Sequence, residues 1–225
     1  MKRPLPHVTA AGVLLGLALT ACSNAARSPV LGVQPGTGER AILTPAEQAR
    51  ADSGRPPYTA ADVHFMSGMI PHHAQAVLMA GWAPTHGASP ALRALCERIV
   101  VAQRDEIAFM QRWLRERREP VPDADASHDM MPGMHRTLMP GMLTPEQLIQ
   151  LDRARSLEFD RLFLVFMIQH HQGAIAMVEQ LFNSYGAAQD EDVFKLASDV
   201  HADQTTEIDR MGTMLASLNR QGTPP

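Results

Sequence analysis

From Thr59 onward, apolar residues recur at threes and fours, and the polar residues that fall among them do so at the same spacing. Thr59 and Asp62 make a capping-box-like start, and Asp62, Met66, Met69, His73, Ala76 and Ala80 then share one helical face. Pro71 sits inside this first helix, where the missing N–H predicts a kink. "GWAPTHGASP" ends it, and Ser89 with Pro90 opens a second helix striped by Leu92, Ile99, Gln103, Glu106, Met110 and Trp113. Thr144 and Pro145 open a third, expected to run through Phe159, Phe163, Met167, His170 and His171 to about Tyr185. A fourth begins near Asp190 and carries Val193, Leu196, Val200, Gln204, Glu207, Met211 and Met214 on its stripe. Between the second and third, the prolines and glycines of residues 119–144 forbid a regular helix and mark a linker.

The second pair of helices repeats the first. "MIPHHAQAVLMA" returns as "MIQHHQGAIAMV" 98 positions later, so Asp62, Met69, His72, His73 and Met79 match Asp160, Met167, His170, His171 and Met177. Gln103, Glu106 and Met110 match Gln204, Glu207 and Met211 after a loop expected to be three residues longer in the second copy. Gln169 holds the place of Pro71, so the proline is not required by the motif. Two duplicated helical hairpins predict an all-α, up-and-down four-helix bundle, ferritin-like in its architecture, with pseudo-twofold symmetry over residues 58–219 and halves 58–118 and 145–219.

Composition adds little about the fold and more about place. The net charge of -4 and pI near 6.2 leave no basic surface for nucleic acid. Lys2 and Arg3 followed by "VTAAGVLLGLALT" read as an export signal, and "LTAC" resembles the bacterial lipoprotein box. Residues 1–21 are therefore expected to be a lipoprotein signal peptide, Cys22 the lipidated mature N-terminus, and 22–57, rich in Pro, Gly, Ala and Ser, a flexible tether. That leaves Cys96 alone, expected as a small core residue because its counterpart is Ala197.

Methionine is overused, at 14 against 7 Phe, 2 Trp and 2 Tyr. Polar pairs interrupt the apolar stripes at matched places, Gln103 with Glu106 and Gln204 with Glu207, and buried polar groups are costly without a partner. Folding each hairpin at its loop sets these pairs level with Met69, His72 and His73 and with Met167, His170 and His171. Thioether with imidazole suits copper, above all the monovalent ion, although another transition metal fits the same donors. A di-iron bundle centre would need Glu-x-x-His motifs, and the sequence has none on these faces. Met66, Met79 and Met177 serve equally as ligands or as flexible core filler. Asp62 and Asp160 serve as supports for histidine or, for Asp62, as a helix cap. In the linker, His128, Met130, Met131, Met134, His135, Met139 and Met142 either take up a soft ion or form an apolar flap over one end of the bundle. His64, whose counterpart is Leu162, is expected at the surface or rim.

These residues carry a resemblance. The doubled His-His motif, the twice-used Gln-x-x-Glu-Ile-x-x-Met and the "MPGM" ahead of "LTPEQL" look like the bacterial family known as domain of unknown function three-hundred-five, over Tyr58 to Asn219. The resemblance implies a ferritin-like helical bundle, and periplasmic copper-tolerance members of that family bind copper or silver through Met and His. It thereby implies metal binding by Met69, His72, His73, Met110, Met167, His170, His171 and Met211. The reading is a membrane-anchored, extracytoplasmic copper protein that buffers, sequesters or delivers the ion, with a copper-handling protein as partner. Two rivals stand beside it: a ferritin-like metallo-oxidase using Glu106 and Glu207, and a metal-free structural or interaction lipoprotein. No nucleophile with its base and no phosphate loop is visible, so no enzyme activity is assigned.

Overall fold

The computed structural model describes residues 53–54, 57–130 and 138–221. The signal, Cys22, nearly all of the expected tether, and Met131, Met134 and His135 of the linker lie outside the described residues, as does the side chain of His128. The described chain is all-helical: α1 (Ala60–Gly81), α2 (Pro90–Glu116), a 3-10 turn (Ser127–Met130), α3 (Pro145–Arg153), α4 (Ser156–Phe182) and α5 (Glu191–Gln221). None of the described helices is long and apolar enough to cross a membrane.

Local chemistry accounts for most of the helix starts. Thr59 accepts from the Asp62 N–H while the Asp62 carboxylate accepts from Thr59 N at 2.7 Å, a closed capping box. Ser89 caps α2 ahead of Pro90, and Thr144 with Gln147 makes a second box ahead of α3. Asp190 does the same for α5, accepting from the N–H groups of Asp192 and Val193.

α1 pairs with α2 and α4 with α5, each as an antiparallel hairpin, and α1 lies antiparallel against α4 to join the two. The expected bundle is therefore present, with two departures. The third predicted helix is two helices, broken at Ala154 and Arg155, because Ser156 adopts φ 53° and donates its N–H to the His86 carbonyl at 2.8 Å in the α1–α2 connection. The three extra residues of the second copy extend α4 rather than its loop, since residues 82–89 and 183–190 are connections of equal length. As the sequence placed it, Pro71 lies inside α1, which continues on both sides of it.

The buried apolar side chains form two groups. One holds Phe65, Met66, Met69, Met110, Trp113, Met177, Val193 and Val200; the other holds Met79, Leu92, Cys96, Ile99, Phe159, Phe163, Met167 and Met211. Cys96 is buried and unpaired, as its alanine counterpart suggested. Between the two groups lies a polar layer.

Candidate metal centre

Four imidazoles make that layer. His72 and His73 from α1 and His170 and His171 from α4 are each 0% exposed, and the His72 and His170 rings lie against each other with centroids 3.9 Å apart and planes tilted by 41°. Adjacent histidines on one helix point about 100° apart. The inner pair therefore meets at the helix–helix seam, while His73 and His171 turn toward α2 and α5.

Each Nε2 faces an oxygen that can only accept. His72 Nε2 lies 3.0 Å from the Pro140 carbonyl, and His170 Nε2 lies 3.0 Å from the His72 carbonyl. His171 Nε2 is 2.7 Å from Glu207 Oε2. His73 Nε2 is also 2.7 Å from Glu106 Oε2, but without the alignment of a directed hydrogen bond. In His72, His170 and His171 the hydrogen-bonded oxygen favours the ring proton on Nε2, which leaves the Nδ1 lone pair as the other ring function. All four Nδ1 atoms are buried without a hydrogen-bond partner. Burial, with the neighbouring imidazoles, lowers the His72 pKa to about 3 and holds His170 well below its ordinary value.

The expected thioethers flank this layer. Met66, Met69, Met110 and Met177 lie in the apolar group on one side, and Met79, Met167 and Met211 in the group on the other. Among the described residues, no three His, Cys, Asp or Glu side chains converge closely enough to hold an ion by themselves.

The carboxylates connect the layer to solvent. α2 and α5 stand apart around a cleft of about 300 Å³ lined by Gln103, Glu106, Asp203, Gln204 and Glu207, with Arg98 and Arg210 beside them. Glu106 and Glu207 are 19% exposed, so each bridges from water to a fully buried histidine. Gln103 Oε1 and both polar atoms of the Gln204 amide are buried in the cleft wall without partners. Burial, with Glu106, Asp199 and Glu207 nearby, raises the Asp203 carboxyl above its ordinary value.

Asp62 and Asp160 lie elsewhere. Asp62 Oδ1 accepts from Ala188 N at 2.7 Å, and Asp160 accepts from Ser89 N at 3.1 Å. Each aspartate thus ties the first helix of its own hairpin to the connection of the other.

Sequence reasoning missed the way the linker is held. Gln75, fully buried, accepts from Leu143 N at 2.7 Å and donates to the Leu143 carbonyl and to Asp129. Pro140 and Gly141 lie directly on Gly173 of α4, where an added Cβ would sit 1.9 Å from the Pro140 oxygen. The signal available was the glycine inside "HHQGAIAM", since a helix tolerates it mainly where another backbone must approach. Met142 is buried and Met130 and Met139 half-buried, so these three lie against the bundle. His64 is exposed at the edge of a separate pocket. His86 bonds Asp152 and Thr85 and holds the α3 end, and His201 is exposed.

Fold and site together define a duplicated helical-hairpin protein built around a buried histidine layer. Comparison gives that class a family: the model described as "Domain of unknown function (DUF305)" matches residues 62–215, and the chain belongs to that family. A putative secreted DUF305 protein from Streptomyces coelicolor is 26% identical with a TM-score of 0.59, covering 71% of this chain and 94% of that one. A DUF305 fragment from Deinococcus radiodurans is 27% identical with a TM-score of 0.59, covering 72% and 99%. CopM in its Cu(II)-bound form is 32% identical with a TM-score of 0.56, covering 69% and 96%, and similar structures of CopM hold Cu(I) and silver. The uncharacterized protein L153 of Acanthamoeba polyphaga mimivirus is 35% identical over 57 residues, and the chain spans 38% of that curated relative's length.

Proposed function

We propose that this is an exported, lipid-anchored protein that binds cuprous copper in its core and buffers, sequesters or delivers it. One observation carries the reading: all four buried imidazoles leave Nδ1 without a partner, while in His72, His170 and His171 a carbonyl or carboxylate oxygen directs the proton to Nε2. Metal-bound histidine commonly has this arrangement, with the second ring nitrogen donating to an oxygen. Leaving a buried acceptor unsatisfied costs roughly 1–3 kcal/mol, a cost that a metal would remove. Because no three His, Cys, Asp or Glu side chains among the described residues form a donor group alone, the ion takes thioethers from Met69 and Met110 or from Met167 and Met211. A nitrogen–thioether set favours the monovalent ion. The copper- and silver-bound CopM structures support the same assignment. The cleft between α2 and α5 gives the ion its route, past Glu106 and Glu207.

An anaerobic titration of the full chain against a coloured cuprous chelator tests this. The wild-type chain is expected to withdraw copper at fixed stoichiometry, and a variant with His72, His73, His170 and His171 changed to Ala, its helicity checked by circular dichroism, to lose that capacity. Equal competition by both would sink the core assignment. The anchor rests on "LTAC", and Cys22→Ser is expected to move the chain out of the membrane fraction.

A further inference from the structure

The two halves match closely along their inward faces, which makes their differences informative. Shifted by 98 positions, Met66 and His73 find Leu164 and His171, but Gly68 finds Phe166 and His64 finds Leu162. In the second half these positions carry apolar side chains, with Phe166 buried. In the first half, His64 borders a pocket of about 170 Å³ between α1 and α4, lined also by Phe65, Met139, Met177, Gln180 and Leu181, and Gly68 lies beside two of these residues, Met139 and Met177.

Two thioethers meet in that pocket. A Cβ built on Gly68 would stand 2.4 Å from the Met139 methyl, 3.5 Å from its sulfur and 3.5 Å from the Met177 methyl. Glycine at 68 is therefore what gives Met139, arriving from the linker, room against α1, on the side where the Met177 methyl also lies. His64 lies one turn before Gly68, on the same face and exposed to solvent. From outside inward, the pocket offers an imidazole at its rim, then a half-buried thioether, then a buried one. A simple packing gap would be filled as the second half fills it, by a larger apolar side chain.

We propose that His64, Met139 and Met177 form a second, solvent-facing site for a monovalent soft cation, distinct from the imidazole layer. Two thioethers and one imidazole are a poor set for magnesium, calcium or manganese and a good one for cuprous copper or silver. The pocket lining includes no carboxylate; its side-chain oxygens are the neutral ones of Gln180 and Ser184, which leaves no charged hard donor for a divalent ion. The inference rests on the copper reading for the identity of the ion, but not for its place. The accessible site would receive the ion at the surface while the core retains it.

The test uses the full chain labelled with 13C in the methionine methyl groups and titrated with silver(I), a redox-stable probe of soft donors. Signals are assigned with Met139→Leu and Met177→Leu. The methyl signals of Met139 and Met177 are expected to move together with the His64 ring signals, and His64→Leu to bind one equivalent fewer. Leu stands at the matched position of the second half, so this variant is expected to fold, which circular dichroism checks. If other methionine and histidine signals move while those of Met139 and Met177 stay, this site is overturned and the core assignment survives. If the two methyl signals move but His64→Leu binds as many equivalents as wild type, the imidazole is not a ligand and the proposal fails as stated. If no methionine or histidine signal moves, both readings fall together.

Discussion

A histidine that is fully buried and neutral makes the fold sensitive to acid without itself carrying charge. His72 has its pKa lowered to about 3, chiefly by burial and then by His73, whereas the unfolded ring titrates near its ordinary value. Between those two values the unfolded chain binds the extra proton and the folded one does not, so stability is intact above the unfolded pKa and falls as pH drops through the window. For His72 alone the loss near pH 5 is about 2 kcal/mol relative to about pH 7.5, and His170 acts in the same direction. Denaturant unfolding of the metal-free chain across this range is expected to show that slope, and His72→Leu to flatten it. Parallel slopes for the two proteins would mean that the ring protonates in place. At neutral pH these two imidazoles are already unprotonated, so they can accept a metal without first releasing a proton.

At the scale of elements, local signals marked most of the helix starts and long-range contacts set what local signals could not. Thr59 with Asp62, Ser89 with Pro90 and Thr144 with Pro145 were readable as helix starts, and the structure uses all three as caps. The repeated His-His motif and the inward Gln and Glu positions were readable from spacing alone, and they meet in one layer beside one cleft. The break between α3 and α4 was not readable, because it depends on Ser156 donating to the His86 carbonyl, a contact across many residues. Nor was the extension of α4, since three extra residues between two aligned motifs look the same whether they lengthen a helix or a loop. The linker's path was hidden for a similar reason: Gly141, at φ 76°, and Gly173 gain meaning only once they face each other. Gly173→Ala is expected to push Pro140 and Gly141 off α4, because the clash is with backbone rather than with a movable side chain. The cost should be about 1–3 kcal/mol, as for an overpacked core, read by chemical denaturation. The displaced strap would also strip His72 of the Pro140 carbonyl. An unchanged midpoint would show that the linker does not bear on the bundle.

Across the whole molecule, the hairpins are tied crosswise. Asp62 holds the connection of the second hairpin through Ala188, and Asp160 holds that of the first through Ser89. The apolar groups on either side of the histidine layer each draw on both hairpins, so neither hairpin keeps a complete core alone. The chain is therefore expected to unfold in one transition by both helical and aromatic signals. Asp62→Ala and Asp160→Ala should each lower stability by about 1–3 kcal/mol, since each leaves a backbone N–H unpaired, and the two effects should add because the sites lie apart. Two separate transitions in either variant would contradict the crosswise tie.

The mismatch of His64 and Gly68 with Leu162 and Phe166 bears on why both hairpins sit on one polypeptide. In a homodimer of a single hairpin, every substitution appears twice, so a residue that opens a cavity on one side of the axis opens another on the opposite side. A fused chain escapes that constraint. It can keep the paired imidazoles where symmetry serves the core and change one flank alone, without weakening the other.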